Sequence, residues 1–229
     1  MRRSEINEII NRSTSFMESR GFGLPSFAYW SPDEMQTRAA SDAATIVTGR
    51  LGWDITEYGK GNFAQLGLVL FTLRNVSPCA AGASSGAGYA EKLMICASGQ
   101  RCQLHRHAAK SGDIINRVGG TLLVRMYTSR PDGTPDDQND VVIVSDGQRK
   151  TVRPGTSLRL SPGASVTLHT GIWHAFAAED GDVLVGEVST LNDDKGDNFF
   201  TEPVGRFLTV DEDAMANRLL VSDYDTWVR

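Results

Sequence analysis

The stretch RCQLHRHAAKSGDIINRVGG, residues 101–120, places His105 and His107 one residue apart. Side chains at positions i and i+2 of a β-strand point to the same face, so both imidazoles should enter one space while Arg106 points away. Two histidines that alternate on a strand and hydrogen-bond core carbonyls are the alternative. Because the whole chain has only 4 histidines, this pair together with a third, His174, favours a metal site.

The third histidine lies in GASVTLHTGIWHAF, residues 163–176. His169 sits on the other side of the turn and has no partner at a useful spacing, so we assign it a structural role. Trp173 and Phe176 flank His174 and could form apolar walls, although core packing is the safer expectation for at least one of them. The H-x-H pair and His174 are therefore the predicted metal ligands.

Short apolar segments and turn sequences surround the histidines from Trp53 onward. The turn signals are SSGAG (84–88), SGQ (98–100), VGG (118–120), PDGTPDD (131–137), SDG (145–147), RPG (153–155), SPG (161–163) and DG (180–181). Strands are predicted near 66–74, 89–97, 101–108, 120–128, 140–145, 157–160, 165–168, 173–178 and 182–189. Many short strands at close spacing predict a β-sandwich or barrel rather than a doubly wound sheet.

The first fifty residues have a different character. Apolar residues at helical spacing predict a helix over 4–20, with Ser4 as its N-cap and Gly21 as its C-cap. Residues 21–32 read as an extended, aromatic-rich arm, since proline is unfavourable inside a helix. A second short helix is expected from Pro32 to Thr48.

These elements predict one domain over 1–229. It consists of a helical N-terminal extension (1–50), a β-barrel core (53–190) and an irregular, acidic C-terminal tail (191–229). The tail is expected to wrap around the core or to reach a partner subunit.

Composition narrows the class of protein. The 229 residues carry a formal net charge of −5, and no Lys/Arg-rich run appears, which argues against nucleic acid as the main partner. The N-terminus lacks the apolar stretch of a secretory signal, and the longest apolar block, residues 66–73, is too short to span a bilayer. Cys79, Cys96 and Cys102 are expected to be free thiols in a reducing cytoplasm, with a Cys79–Cys96 bridge left open.

Two motifs resemble the cupin family. The first is Gly99-x5-His105-x-His107-x4-Gly112-x6-Gly119, in which position 112 is normally glutamate, and the second is Gly163-x5-His169-x-Gly171-x2-His174. Two separate matches in spacing are far more specific than one. The resemblance implies a mainly β fold, a small antiparallel jelly-roll barrel with a metal inside.

Further blocks resemble the D-lyxose isomerase family from the N-terminal helix almost to the C-terminus. They are FAYWSP (27–32), GWDITEYG (52–59), LGLVLFTLRN (66–75), YAEKLMI (89–95), KSGDIINR (110–117), GIWHAF (171–176), GEVSTLNDD-x-x-DN (186–198) and EPVGRF (202–207). The resemblance implies a manganese-dependent enzyme that converts D-lyxose to D-xylulose and, less efficiently, D-mannose to D-fructose. It also implies a homodimer, for which the aromatic arm is a plausible contact.

Aldose–ketose isomerisation needs a Lewis acid at O1 and O2 and a base that moves a proton from C2 to C1. Imidazoles suit Mn²⁺, Fe²⁺ or Zn²⁺ and do not decide among them. Lys110 matches the family lysine that faces the sugar oxygens; a surface lysine at a strand end is the alternative. Glu187 is the single carboxylate in the apolar run VLVGEVS, and we predict it as base or additional ligand because burying it unpaired is costly.

Two residues near the C-terminus are candidate sugar contacts. Asp194, with Asp193 beside it, could hydrogen-bond sugar hydroxyls, although a turn explains Asn-Asp-Asp equally well. Arg206 matches a family arginine and could anchor the sugar or pair with the acidic tail.

Gly112 departs from the family pattern, because relatives have K-x-E where this chain has Lys110-Ser111-Gly112. Asp113 is adjacent, but its side chain should leave the opposite face of the strand. Glu187 or water could complete the metal sphere, the substitution could retune the enzyme to another substrate, or the protein could be a degenerate sugar-binding cupin without turnover. An iron-dependent dioxygenase is less favoured because the carboxylate of its triad is missing. We favour the isomerase.

Overall fold

A computed structural model describes residues 1–75, 88–190, 193, 196–205 and 208–228. Its helices are α1 (Arg3–Ser19), α2 (Pro32–Ala39), α3 (Ala44–Thr48) and α4 (Tyr224–Trp227), with a 3₁₀ turn at Ser26–Ala28. Its strands are β1 (Gly52–Thr56), β2 (Leu68–Arg74), β3 (Ala90–Cys96), β4 (His105–Arg106), β5 (Gly112–Ser129), β6 (Pro135–Asp136), β7 (Val141–Ser145), β8 (Gln148–Val152), β9 (Ser157–Leu160), β10 (Ser165–Leu168), β11 (Trp173–Ser189) and β12 (Phe199–Phe200). The expected mainly β fold is confirmed.

The strands form an antiparallel sheet whose main order is β1-β2-β3-β11-β5-β10-β7-β8. Side chains from one face of the sheet meet in a single core cluster that includes Met94, Leu122, Ile143, Val166 and Val185. A second cluster lies on the outer face, where α1 packs. The sheet therefore has an inner core and a helix-covered outside, as expected of a barrel.

The long strands β5 and β11 replace several shorter predicted strands. The DG and VGG signals do not separate strands; they form an irregularity where the β5–β11 register shifts between Glu179 and Val183. Gly119 has φ +115°, and a Cβ there would lie 2.0 Å from the carbonyl oxygen of Asp182, so only glycine permits this close approach. The prediction of separate strands over 173–178 and 182–189 was wrong because glycines here mark a bulge within paired strands.

Other strand predictions differ for local reasons. β1 and β8 lie where no strand was predicted: β1 is buried at every position, and β8 (QRKTV) is polar and largely exposed, so neither shows apolar alternation. The strand expected over 101–108 is reduced to His105–Arg106. Upstream of β4, the backbone N–H of Cys102 donates to the carbonyl of Phe176 on β11 at 2.9 Å. This single contact does not extend into a longer ladder of strand pairing.

The N-terminal helix begins one residue earlier than predicted and has another cap. Arg2 is the N-cap, while Ser4 donates its hydroxyl to the Asp213 carboxylate at 2.7 Å. Ser4 therefore anchors the C-terminal tail rather than capping α1. Gly21, with φ +79°, follows the C-cap Arg20, as the left-handed residue after a helix usually does.

The segment expected to form one helix over 32–48 contains two, α2 and α3. Ser31 accepts from the backbone N–H of Glu34, and Pro32 opens α2 as predicted. In the preceding arm, Phe27 stacks on Phe71 with ring centroids 5.3 Å apart. At least this part of the aromatic arm packs on its own sheet.

Two cysteines are described. Cys96 and Cys102 are buried free thiols, and Cys79 lies outside the described residues. Burial raises the pKa of Cys96 to about 12, so it stays protonated. None of the described helices combines the length and apolar character needed to cross a membrane.

Arg3 joins the two ends of the chain. Its side chain is fully buried, and its guanidinium donates to Glu212 at 2.6 and 2.8 Å and to Asp223 at 2.9 and 3.1 Å. Asp223 also accepts from the backbone N–H of Leu220. This ion cluster fixes the C-terminal tail against α1, so the tail wraps around its own core.

Replacing Arg3 with alanine should lower the free energy of unfolding by about 3–5 kcal/mol, because buried Asp223 would lose its cation. Arg2→Ala is the matched control, since the Arg2–Glu5 pair is exposed and should contribute little. Urea unfolding of both variants measures the difference. Equal midpoints for the two variants would show that the Arg3 cluster does not hold the tail.

Candidate metal and sugar site

The three predicted histidine ligands lie together inside the barrel. His105 lies on β4, His107 follows that strand, and His174 lies on β11 as the register partner of His105. One potential ligand nitrogen from each imidazole lies within 4.8 Å of the others. The structure thus brings together the residues that the sequence singled out.

All three imidazoles are oriented by backbone carbonyls. The Nδ1 contacts are 2.8 Å from His105 to Gln103, 2.7 Å from His107 to Asp197 and 3.0 Å from His174 to Ile172. A carbonyl oxygen only accepts, so we assign the proton of each neutral ring to Nδ1. Each Nε2 then keeps its lone pair, which is the form that a metal requires.

The surroundings keep the imidazoles neutral. Burial, followed by the Lys110 charge, lowers the pKa of His107 to about 3. Burial also lowers the pKa of His174 to about 4, again helped by Lys110, and holds that of His105 well below its usual range. Protons therefore compete weakly for these nitrogens at neutral pH.

A buried ion pair lies beside the histidines. Lys110 donates from Nζ to the Glu187 carboxylate, and both side chains are about nine-tenths buried. Lys92, the β3 neighbour of Glu187, is also buried and lines the same pocket. Burial opposes ionisation of Glu187, but Lys110 and Lys92 outweigh it and lower the pKa of Glu187 to about 2. Glu187 is therefore a carboxylate.

Asp197 ties the segment after β11 to the histidine turn. Its carboxylate accepts the backbone N–H groups of Ala108, Ala109 and Lys110 at 2.7, 2.9 and 2.7 Å. Its own carbonyl receives the Nδ1–H of His107. Burial opposes its ionisation, yet the amide donors lower the pKa of Asp197 below its ordinary value. One residue therefore orients a histidine and the turn that carries Lys110.

The three histidines and the Lys110–Glu187 pair line one pocket that opens to solvent. Its walls also include Thr56, Tyr58, Leu70, Met94, Phe176, Asn198 and Phe200. Of the two aromatics that flank His174, Phe176 lines this pocket, while Trp173 packs elsewhere and donates its indole N–H to Gly133. His169 is exposed at the rim, outside the histidine cluster.

No carboxylate joins the histidine cluster within the described ranges. Gly112 lines the pocket, and Asp113 points elsewhere, where its carboxylate accepts the Thr167 hydroxyl at 2.6 Å. Asp113 therefore does not replace the glutamate that the family pattern has at position 112.

Sequence reasoning missed two residues that shape the site. Lys92 stands next to Glu91 in YAEKLMI, so it lacks the isolation in an apolar run that singled out Glu187. Asp197 sits in an acidic loop and had no distinguishing spacing. The predicted sugar contacts Asp194 and Arg206 lie outside the described residues.

Comparison with solved structures identifies the fold. The fold matches L-ribose isomerases, with a TM-score of 0.57 to the Cellulomonas parahominis enzyme with L-psicose (18% identity; 92% of this chain, 98% of that chain). A mutant of the Acinetobacter sp. DL28 enzyme in complex with L-ribose matches equally well (TM-score 0.57, 17% identity; 92% and 98% of the chains). The protein thus has the fold of these sugar isomerases.

The sequence comparisons are more specific. The D-lyxose isomerase family model matches residues 1–224. The D-lyxose/D-mannose isomerases of Escherichia coli O157:H7 and Serratia proteamaculans are 42% and 41% identical, over 98% of this chain and of each relative. The chain belongs to the D-lyxose isomerase family.

Asp197→Ala should weaken binding of a divalent metal by about 10- to 100-fold, because His107 and its turn lose their support. Asp193→Ala is the control, because the Asp193 carboxylate accepts the backbone N–H of Gly196 within the same loop. Competition with a chromogenic chelator measures both dissociation constants. If the two variants bound metal equally well, the contacts of Asp197 would have no part in ordering the site.

The lowered pKa of His174 should appear in the stability of the metal-free protein. In the unfolded chain His174 has a pKa of 6.5, whereas in the folded protein its pKa is about 4. Between these values the unfolded state binds a proton that the folded state does not, so the free energy of unfolding falls as the pH drops below 6.5. Between about pH 7.5 and pH 5.5 this one residue should account for about 1 kcal/mol. The loss should be smaller by that amount in His174→Gln, measured by urea unfolding at both pH values; identical losses would contradict it.

Proposed function

We propose that this protein interconverts D-lyxose and D-xylulose, and also D-mannose and D-fructose, at a divalent metal held by His105, His107 and His174. The convergence of three neutral Nε2 groups in one pocket, beside the Lys110–Glu187 pair, carries the proposal. The substrates follow the names of the relatives at 41–42% identity.

The donor set fits a divalent ion. Three imidazoles with fixed tautomers suit Mn²⁺, Fe²⁺ or Zn²⁺, and we propose Mn²⁺, the metal that the family resemblance implies. When bound, such an ion would supply a Lewis acid that polarises the carbonyl of the open-chain sugar.

Glu187 is proposed as the base that moves the carbon-bound proton. It would take the proton from C2, the C–H electron pair would form the C1–C2 double bond, and the former carbonyl oxygen would gain the negative charge. Returning that proton to C1 gives the ketose. A second proton must pass from O2 to O1, and Lys110 can donate a proton to O1 and accept the proton that leaves O2.

The Lys110–Glu187 contact explains how a carboxylate with a low pKa could serve as a base. Burial favours protonation of Glu187, and the neighbouring lysines oppose it. When Lys110 turns towards the sugar oxygens, Glu187 would lose part of that stabilisation and its basicity would rise. We therefore propose that substrate binding activates the base.

The second candidate is a sugar-binding protein without turnover, favoured by Gly112 alone. Retention of Lys110, Glu187 and the three histidines in one pocket weighs against it. Direct assay separates the two.

The test is conversion of D-lyxose to D-xylulose by the purified protein, first treated with chelator and then supplied with Mn²⁺. We expect metal-dependent turnover that falls by about 10³-fold or more in His105→Ala, since a Lewis acid contributes several kcal/mol. Metal content should fall in that variant but not in His169→Ala, because His169 lies outside the cluster. Full turnover in His105→Ala would refute the site, and bound sugar without turnover would favour the second candidate.

A further inference from the structure

The metal centre proposed above has no anionic protein ligand among the described residues. Glu187 is engaged by Lys110, and Asp197 by three backbone amides. Asp113 is turned away towards Thr167. A divalent ion on three neutral imidazoles would therefore keep its full charge and at least one open coordination position.

A glutamate cannot simply be restored at position 112. A Cβ on Gly112 would lie 2.6 Å from the Cβ of Ser189 and 2.8 Å from the carbonyl oxygen of Val188. Ser189 is the register partner of Gly112 and is itself buried, so strands β5 and β11 would have to separate. The Cβ of a glutamate at position 112 is therefore sterically blocked.

Beyond that Cβ position lies the pocket. Gly112 borders the pocket together with the three histidines, and Lys92 and Lys110 line the same pocket. An anion that enters through the mouth does not need a Cβ at position 112. The steric block therefore applies to a tethered carboxylate and not to a free one.

We propose that a carboxylate from outside the chain binds at this centre and takes the place of the missing glutamate. The inference rests on the proposed metal centre. Its source is either a small organic acid or the carboxylate of a sugar acid in the pocket. Carboxylate oxygen is a good ligand for divalent ions, and it would offset the charge that three imidazoles leave uncompensated.

The first experiment measures the dissociation constant of Mn²⁺ by competition with a chelator, in sodium formate and in sodium chloride of equal ionic strength. Formate should tighten binding by about tenfold or more, comparable to the effect of one supporting partner at a metal site. Equal constants in the two salts, with D-lyxonate also without effect, would overturn the proposal. His105→Ala should abolish metal binding in every salt, which excludes a general salt effect.

A second arm distinguishes the sources of the carboxylate. D-lyxonate and D-lyxose are compared at equal concentration for their effect on Mn²⁺ affinity. If D-lyxonate tightens Mn²⁺ binding more than formate and D-lyxose do, the ligand is the carboxylate of a sugar acid. If formate is as effective as D-lyxonate, the site takes a small free acid.

Gly112→Glu and Gly112→Ala test the steric step. Both carry the blocked Cβ, so both should lower the unfolding midpoint, and Gly112→Glu should not tighten Mn²⁺ binding in chloride. A stable Gly112→Glu variant that binds Mn²⁺ more tightly and no longer responds to formate would overturn the steric argument.

Failure of the inference is distinguishable from failure of the proposed function. Loss of all Mn²⁺ binding, with or without formate, would reject the metal centre itself. Binding that depends on His105 but ignores every carboxylate would reject only the external ligand.

Discussion

The pairing of β5 with β11 is the constraint on which the rest of the molecule depends. These two strands run side by side from Trp173 opposite Tyr127 to Ser189 opposite Gly112. One register therefore determines the positions of His174, Glu187 and Gly112. The bulge at Gly119 shifts the register without ending the pairing, so both strands continue past it. A shift of one residue would turn Glu187 out of the pocket.

Alternation and spacing in the sequence were sufficient to predict the H-x-H pair and Glu187 as residues of one pocket. The H-x-H pair predicted two imidazoles in one space, and the isolated carboxylate in VLVGEVS predicted Glu187 as a buried charge; the structure places all of them in the pocket. The same argument does not single out Lys92, because Glu91 stands beside it in the sequence. Spacing could not reveal Asp197, because its importance arises from backbone N–H groups that any residue can supply. Nor could it show that DG and VGG form a bulge, since that depends on the partner strand.

The C-terminal segment contributes to the site as well as to stability. Phe200 on β12 pairs with His105 and lines the pocket, and Asp197 orders the turn after His107. Further along, Asp223 meets buried Arg3 on α1. Contacts made late in the chain thus support the histidine cluster, whose His107 lies 90 residues before Asp197. The sequence described this region as an irregular, acidic tail with Asp194 and Arg206 as candidate sugar contacts. It did not single out Asp197 or Asp223, because their roles rest on a few contacts distant in sequence rather than on periodicity.

Gly112 stands where the family resemblance led us to expect a glutamate ligand, and the histidine geometry does not depend on it. The histidine tautomers are fixed by the carbonyls of Gln103, Asp197 and Ile172, none of which depends on the residue at position 112. The absence of a side chain there lets β5 and β11 approach each other, and Ser189 occupies the space of the absent Cβ. With β5 and β11 this close together, a glutamate at position 112 needs a backbone shift as well as the substitution. The loss is therefore easier to offset by a ligand from outside than by restoring glutamate, while three oriented imidazoles and the Lys110–Glu187 pair remain in place.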